Sequence, residues 1–150
     1  MSARWTSWAD FRGAAPELAE FGKERLSGNA PAYLATVRGK ALPRVHPVQP
    51  IVSPNRLMLF MFPSSPKAHD LQNDGRFGLH AAVADNDGSN GEFFLRGKAR
   101  LVADEAVRAE AAEWGYRPRR EYVLFELGVE QAVANEYQEG KPSYTRWRAP

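Results

Sequence analysis

The chain has 150 residues, 43% of them hydrophobic, with no cysteine and a net charge of +2 from 20 basic and 18 acidic side chains. That length suits one domain, residues 1–150, around one core, and the lack of thiols excludes disulfides, Cys-ligated zinc, iron–sulfur clusters and cysteine nucleophiles. The charge is too small and too scattered to imply a nucleic-acid partner, since even the densest basic cluster, Arg117, Arg119 and Arg120, reads as a solvated loop.

The opening Met1-Ser2-Ala3-Arg4-Trp5 lacks the apolar run of a signal peptide, and the longest apolar run, Leu57 to Pro63, is too short to span a membrane. A cytoplasmic location without a membrane partner is the expectation. Ser7 is placed to cap a first helix, with Asp10 as its capping-box partner. Pro16 opens a second, with Leu18, Phe21 and Leu26 as its apolar stripe and Gly28-Asn29 as its stop.

The hydrophobic period then shortens. Tyr33–Val37 reads as a strand, Gly39-Lys40-Ala41 as a turn, and Arg44–Val52 as a second strand. Pro47 and Pro50 remove ladder donors from that strand, so it is an edge or it bulges. After the turn Ser53-Pro54-Asn55, Leu57–Phe62 is apolar on both faces and therefore central. The turn leads the second and third strands to pair as a hairpin. Ser65 caps a short helix, with Pro66 first and Lys67–Asn73 following. Strands over Arg76–Ala84 and Phe93–Val102 flank a polar loop, Asp85–Gly91. Asp104 caps a helix over Glu105–Trp114. Glu121–Leu127 and Gln131–Tyr137 are the last two strands, extended by Tyr144–Arg148. Short turns between successive strands make the pairing antiparallel. The sum is a mainly β (α+β) chain, a six- to seven-stranded antiparallel split β-barrel with peripheral helices.

No phosphate loop, dinucleotide fingerprint, zinc-protease motif or nucleophile elbow occurs. His46, His69 and His80 lack zinc-motif spacing, so no metal site is expected. Two segments carry chemistry. In Pro43-Arg44-Val45-His46-Pro47-Val48, strand alternation puts Arg44, His46 and Val48 on one side, and two adjacent polar side chains there need solvent or an anion. In Phe62-Pro63-Ser64-Ser65-Pro66-Lys67, two hydroxyls, a helix start and a lysine converge, which suits a phosphate. Against these stand blander readings: Lys67 and Arg44 as solvated surface cations, His46 as a satisfied strand histidine, His69 as an exposed helix residue, and Glu126 and Asp74 as surface carboxylates. Met58 and Met61 read as core. Trp147 with Arg148 either packs a terminal strand or stacks over a cofactor.

Taken together, Tyr33–Arg38, Pro43–Val48, Leu57–Phe62 and Ser64-Ser65-Pro66-Lys67-Ala68-His69-Asp70-Leu71 resemble the pyridoxamine 5'-phosphate oxidase-like, FMN-binding split-barrel superfamily over the middle two-thirds of the chain. The resemblance implies that Arg44, Ser64, Ser65 and Lys67 hold a flavin phosphate. It implies that backbone at Val45, His46, Pro47 and Val48 and at Phe60, Met61 and Phe62 lies against the ring system. It implies a homodimer with sites at its interface, a small-molecule redox substrate, and FMN as cofactor, with the deazaflavin F420 or haem as alternatives. Haem would need His46 or His80 as its axial ligand. True pyridoxamine phosphate oxidases carry a longer C-terminal segment with substrate-binding arginine and histidine, which Arg146–Pro150 does not match. The expectation is therefore a flavin-dependent oxidoreductase with no acid or base singled out, and its rival is a non-catalytic flavin- or haem-binding protein.

Overall fold

Local sequence rules place the helices. The computed structural model describes residues 4–150; Met1, Ser2 and Ala3, part of the segment read for a leader, lie outside the described residues. Helix α1 (Trp8–Ala14) opens on the expected capping box: Ser7 Oγ accepts from the Asp10 amide at 3.1 Å and Asp10 accepts from the Ser7 amide at 3.2 Å. Helix α2 (Pro16–Leu26) has its proline at the first position and buries Leu18, Ala19, Gly22 and Leu26, with Phe21 half-buried. Helix α3 (Pro66–Asn73) is capped by Ser65, whose Oγ accepts from the Ala68 amide at 3.3 Å, and α4 (Glu105–Trp114) by Asp104.

The strands are β1 (Ala32–Arg38), β2 (Leu42–Val48), β3 (Ile51–Val52), β4 (Leu57–Met61), β5 (Arg76–His80), β6 (Glu92–Val102), β7 (Val123–Leu127), β8 (Gln131–Gln138) and β9 (Lys141–Arg148). All pairs are antiparallel, and the main path runs through seven strands, β2-β1-β5-β6-β7-β4-β3, with the β8–β9 hairpin joined to β6. This is the antiparallel, curled half-barrel with peripheral helices that the sequence pattern implies.

The segment expected as one strand over Arg44–Val52 is two. Pro50 has no amide to donate and forces Gln49 away from regular pairing, so the chain breaks at 49–50. The expected hairpin with the third strand shrinks to Ile51↔Met58 and Val52↔Leu57, while Arg44 sits on β2, which pairs with β1 through Thr36↔Arg44 and Leu34↔His46. Pro43 and Pro47 are tolerated because β2 is an edge. The expected Arg76–Ala84 strand stops at His80, although the Ala81 amide still reaches the Phe93 carbonyl at 3.0 Å.

Burial follows the strand period. On β6, Phe93, Leu95, Gly97 and Ala99 are buried and alternate with exposed Phe94, Arg96, Lys98 and Arg100. The main core gathers Leu34, Leu57, Leu59, Met61, Phe77, Leu79, Phe93, Leu95 and Phe125 under α1 and α2, each large side chain contributing about 1.5–3 kcal/mol. A second cluster, Ile51, Met58, Phe60, Val107, Ala111 and Leu124, lies beneath α4 on the other side of β4. Burial on both sides confirms β4 as a central strand and Met58 and Met61 as core. Glu126, read as a surface carboxylate, is instead only 3% exposed and lies between Arg100, at 2.9 Å, and Arg56, at 3.7 Å. Its strand pattern of one acid in an apolar run hides the cations that β6 and the 53–56 turn bring to it.

Beyond its first half β6 turns from β5 and β8 toward β7, and there the backbones nearly touch. A Cβ at Gly97 would lie 1.9 Å from the Gly128 carbonyl oxygen, a contact that only backbone movement relieves. Gly97→Ala should therefore cost about 3 kcal/mol. Gly13→Ala, where a Cβ meets nothing within 4 Å in α1, should cost nothing and gain up to about 1 kcal/mol. Denaturant unfolding of the two variants beside the parent checks the contrast, and equal stabilities would refute it.

Candidate functional site

Strand β2 carries Arg44 and His46 toward the concave side of the sheet. Opposite residues of paired strands share a face, so register sets Thr36 beside Arg44 and Leu34 beside His46. Helix α3 packs across β1 and lowers Asp70, 3% exposed, onto this row. The Asp70 carboxylate accepts from Arg44 Nη2 at 3.0 Å on one oxygen and from the Thr36 hydroxyl at 2.8 Å on the other. His46 Nε2 lies 3.2 Å from the Thr36 oxygen. Four polar groups from three elements thus form one connected chain, Arg44–Asp70–Thr36–His46. The buried members are partnered, as buried polar groups must be, with one exception: Arg44 Nε is buried and has no hydrogen-bond partner.

Lys67, one helical turn before Asp70, is half-buried and near enough to act electrostatically on His46, as Arg44 does. Ser65 spends its oxygen on the cap but keeps its hydroxyl proton, Ser64 is exposed, and the first turn of α3 leaves the Lys67 amide without a partner among the described residues, since Pro66 has no N–H and the Ala68 amide bonds Ser65 Oγ. The Ser65 amide bonds to the Phe62 carbonyl at 3.0 Å, which fixes the end of β4 against the helix start. The result is a cationic cluster with one buried counter-charge already engaged on both oxygens. Burial holds the His46 imidazole below its ordinary pKa of 6.5; Lys67 and Arg44 add to the depression, and Asp70 opposes it.

The other expected residues divide by face. Val48 is buried on the same side as Arg44 and His46, while Val45, 67% exposed, and Pro47 point outward. Met61 is in the main core. Phe60 packs beneath α4 against Tyr116 with ring centroids 5.7 Å apart, and Phe62 is exposed and meets Tyr122 edge-on at 5.8 Å. Only backbone at Phe60 and Met61 is left to meet a ligand. His69 is exposed. His80 stands on the convex face, its ring stacked on Phe94 at 5.8 Å and its Nδ1 2.6 Å from the Ala81 carbonyl. Trp147 packs on Phe11 at 5.0 Å and extends the core. Sequence reading missed Asp70 and Thr36. Asp70 falls three residues after Lys67 on a helix, a readable spacing, but its aim depends on how α3 crosses β1. Thr36 becomes visible only once the β1–β2 register is known.

No family model matches the chain, and no curated protein matches it in sequence. Solved structures do match in shape. A heme binding protein from Mycobacterium smegmatis aligns with a TM-score of 0.67 at 18% identity over 85% of this chain, which spans 57% of that protein. A NimC/NimA family protein from Clostridium acetobutylicum gives 0.65 at 14% identity, over 85% of this chain and 92% of that one. PhzG from Burkholderia lata, in complex with tetrahydrophenazine-1-carboxylic acid, gives 0.54 at 14% identity, over 93% and 92%. The fold is that of the pyridoxamine 5'-phosphate oxidase-like split-barrel superfamily.

The depressed His46 pKa has a sign that can be checked. The unfolded chain takes up the proton near pH 6.5 and the native state resists it. The stability so contributed is full above 6.5 and is lost as pH falls through the native value, so stability rises with pH across that window. Proton NMR titration should place the His46 midpoint below 6.5, and His46→Gln should flatten that part of the stability curve. A midpoint at or above 6.5 would contradict the buried, cation-flanked setting.

Proposed function

We propose that the chain binds a phosphate-bearing flavin, FMN, through Arg44, Lys67, Ser64, Ser65 and the first turn of α3, and uses it in electron transfer with a small-molecule substrate. One observation carries this reading: the Arg44 guanidinium, anchored on buried Asp70, converges with Lys67 and a capped helix start, with Arg44 Nε still unpartnered. A free helix-start amide, two serine hydroxyls, a lysine and a guanidinium match a phosphate dianion in charge and donor type. The bound flavin would supply the redox chemistry, while the protein positions it and sets the local field. The deazaflavin F420 is the alternative that a titration separates.

A second reading has its own support. The His80 Nδ1–H bond to the Ala81 carbonyl leaves Nε2 as the ring's free lone pair, the presentation a metal-bound imidazole uses. Haem on the convex face, with His80 as axial ligand, is that reading. The absorption spectrum of the protein titrated with FMN, F420 and haemin separates the three, and no spectral change with any of them would remove them all.

We further propose that the chain forms a symmetric homodimer. Tyr33, Val45 and Phe94, all exposed, share the convex face of β2-β1-β5-β6 with Ala35, Pro47 and Gly78, an apolar strip bordered by Arg76, Arg96 and Lys98 and suited to isologous pairing. Light scattering should return about twice the 16.8 kDa chain mass. A monomer at micromolar concentration would sink this arrangement.

The phosphate site makes a sharper demand. FMN should bind at least about tenfold more tightly than riboflavin, and Lys67→Ala should raise the FMN dissociation constant about tenfold, from loss of one charge-assisted hydrogen bond, with no change in melting temperature. Arg44 is not a free surface residue, because Asp70 depends on it. Arg44→Ala should weaken FMN and also destabilise the fold, by up to about 3 kcal/mol, since a buried carboxylate loses its counter-charge. Equal affinities for FMN and riboflavin in fluorescence titrations would show that the phosphate is not read here.

A further inference from the structure

The Arg44–Asp70–Thr36–His46 chain fixes more than a charge. A carboxylate paired with a guanidinium can only accept hydrogen bonds, so both Asp70 oxygens need donors: Arg44 Nη2 at 3.0 Å and the Thr36 hydroxyl at 2.8 Å. Thr36 has one proton and has given it to Asp70. Toward His46, 3.2 Å away, its oxygen can therefore only accept. The proton in that bond must sit on His46 Nε2, which leaves Nδ1 as the bare nitrogen of the neutral ring. Nδ1 makes no hydrogen bond to the protein among the described residues and is not sealed from solvent.

We propose that Asp70 is the positioning residue of this site: it orients the Arg44 guanidinium and, through Thr36, locks His46 in the Nε2–H tautomer, so that Nδ1 stands as a hydrogen-bond acceptor beside the cationic cluster. The site then takes a ligand with two features, a phosphoester for Arg44 and Lys67 and an adjacent hydrogen-bond donor such as a hydroxyl for His46. The ligand half of this statement rests on the phosphate-site reading; the tautomer half rests on the geometry alone. The charged groups facing His46 are Arg44 on its own strand and Lys67 and Asp70 on α3. The first two disfavour a second ring proton, which keeps Nδ1 an acceptor near neutral pH.

His80 provides an internal contrast, because its Nδ1 faces a carbonyl oxygen and must carry the proton. Long-range proton–nitrogen-15 correlation spectra of the full chain without ligand, at about pH 8, should show His46 as Nε2–H and His80 as Nδ1–H, with resonances assigned from His46→Gln and His80→Gln. Asp70→Asn should invert His46. The amide oxygen would still accept from Arg44, but the amide nitrogen would donate to Thr36, whose proton would turn to His46 Nε2 and leave the ring proton on Nδ1. Thr36→Ser should keep the parental tautomer and Thr36→Val should relax it to a mixture, a pair that carries the test if Asp70→Asn fails to fold. His46 found as Nδ1–H in the parent chain, or unchanged in folded Asp70→Asn, or unchanged in Thr36→Val, would overturn the proposal. FMN titration adds an independent arm: Asp70→Asn should raise the FMN dissociation constant about tenfold and leave riboflavin unchanged. If the parent chain shows the expected tautomers and binds no FMN, the flavin reading fails while the positioning role of Asp70 stands.

Discussion

The site depends on one buried carboxylate. Asp70 joins α3 to β1 through Thr36 and to β2 through Arg44, and no other described polar group links these three elements. Strand β2 is an edge interrupted by two prolines, so its ladder to β1 is weak where Pro43 and Pro47 give no amide. The ion pair supplies a second tether there. Burying a carboxylate is costly unless every lone pair that matters is engaged, and here both oxygens are. A pair of apolar residues could pack α3 on β1 as firmly. The polar pair instead leaves a guanidinium held in one orientation at the mouth of a helix start, and an apolar substitute could not do that.

A second ionic cluster serves a different end. Glu126 on β7 lies between Arg100 and Arg56, and Arg56 also meets Glu110 of α4, which bonds Ser53 and Asn55. Burial alone would push the Glu110 carboxyl up, but the hydrogen bonds from Asn55, Arg56 and Ser53 outweigh it and hold it below the usual range. This group fastens the 53–56 turn to α4 and β7. That turn begins β4, whose far end delivers Phe62 and the Ser64–Ser65 helix start. The strand that carries the Ser64–Ser65 loop, buried on both faces, is thus held at both ends, one by ions and the other by a helix cap.

What could be read before the structure follows from which interactions are local. Caps at Ser7, Ser65 and Asp104, the prolines at the helix starts and the alternation on β6 are encoded within four residues, and all stand as expected. Arg44, His46 and Lys67 were legible because their residue types are conspicuous in their local patterns, and the structure does bring them together. Asp70 and Thr36 were not, because their importance lies in contacts 26 to 34 residues apart along the chain, made by an inter-element crossing that no local period records. Glu126 was misread for the same reason, its cations being supplied from elsewhere in the sheet. The split of the Arg44–Val52 segment was signalled by Pro50, but its consequence, a β2 paired only with β1, required the topology.

The period of two along β2 ties the site to the opposite face of the sheet. Arg44, His46 and Val48 point to the concave side, and Pro43, Val45 and Pro47, alternating with them, to the convex side. A slip of one residue would expose the polar pair to the convex face and drive Val45 against Asp70, so both surfaces are lost together. Register in an edge strand is ordinarily the least secure in a sheet, because only one neighbour specifies it. The Arg44–Asp70 bond specifies it a second time, from α3, and does so at the residue whose aim matters most. The same contact that orients the Arg44 guanidinium therefore also decides which side chains the convex face can offer to another surface.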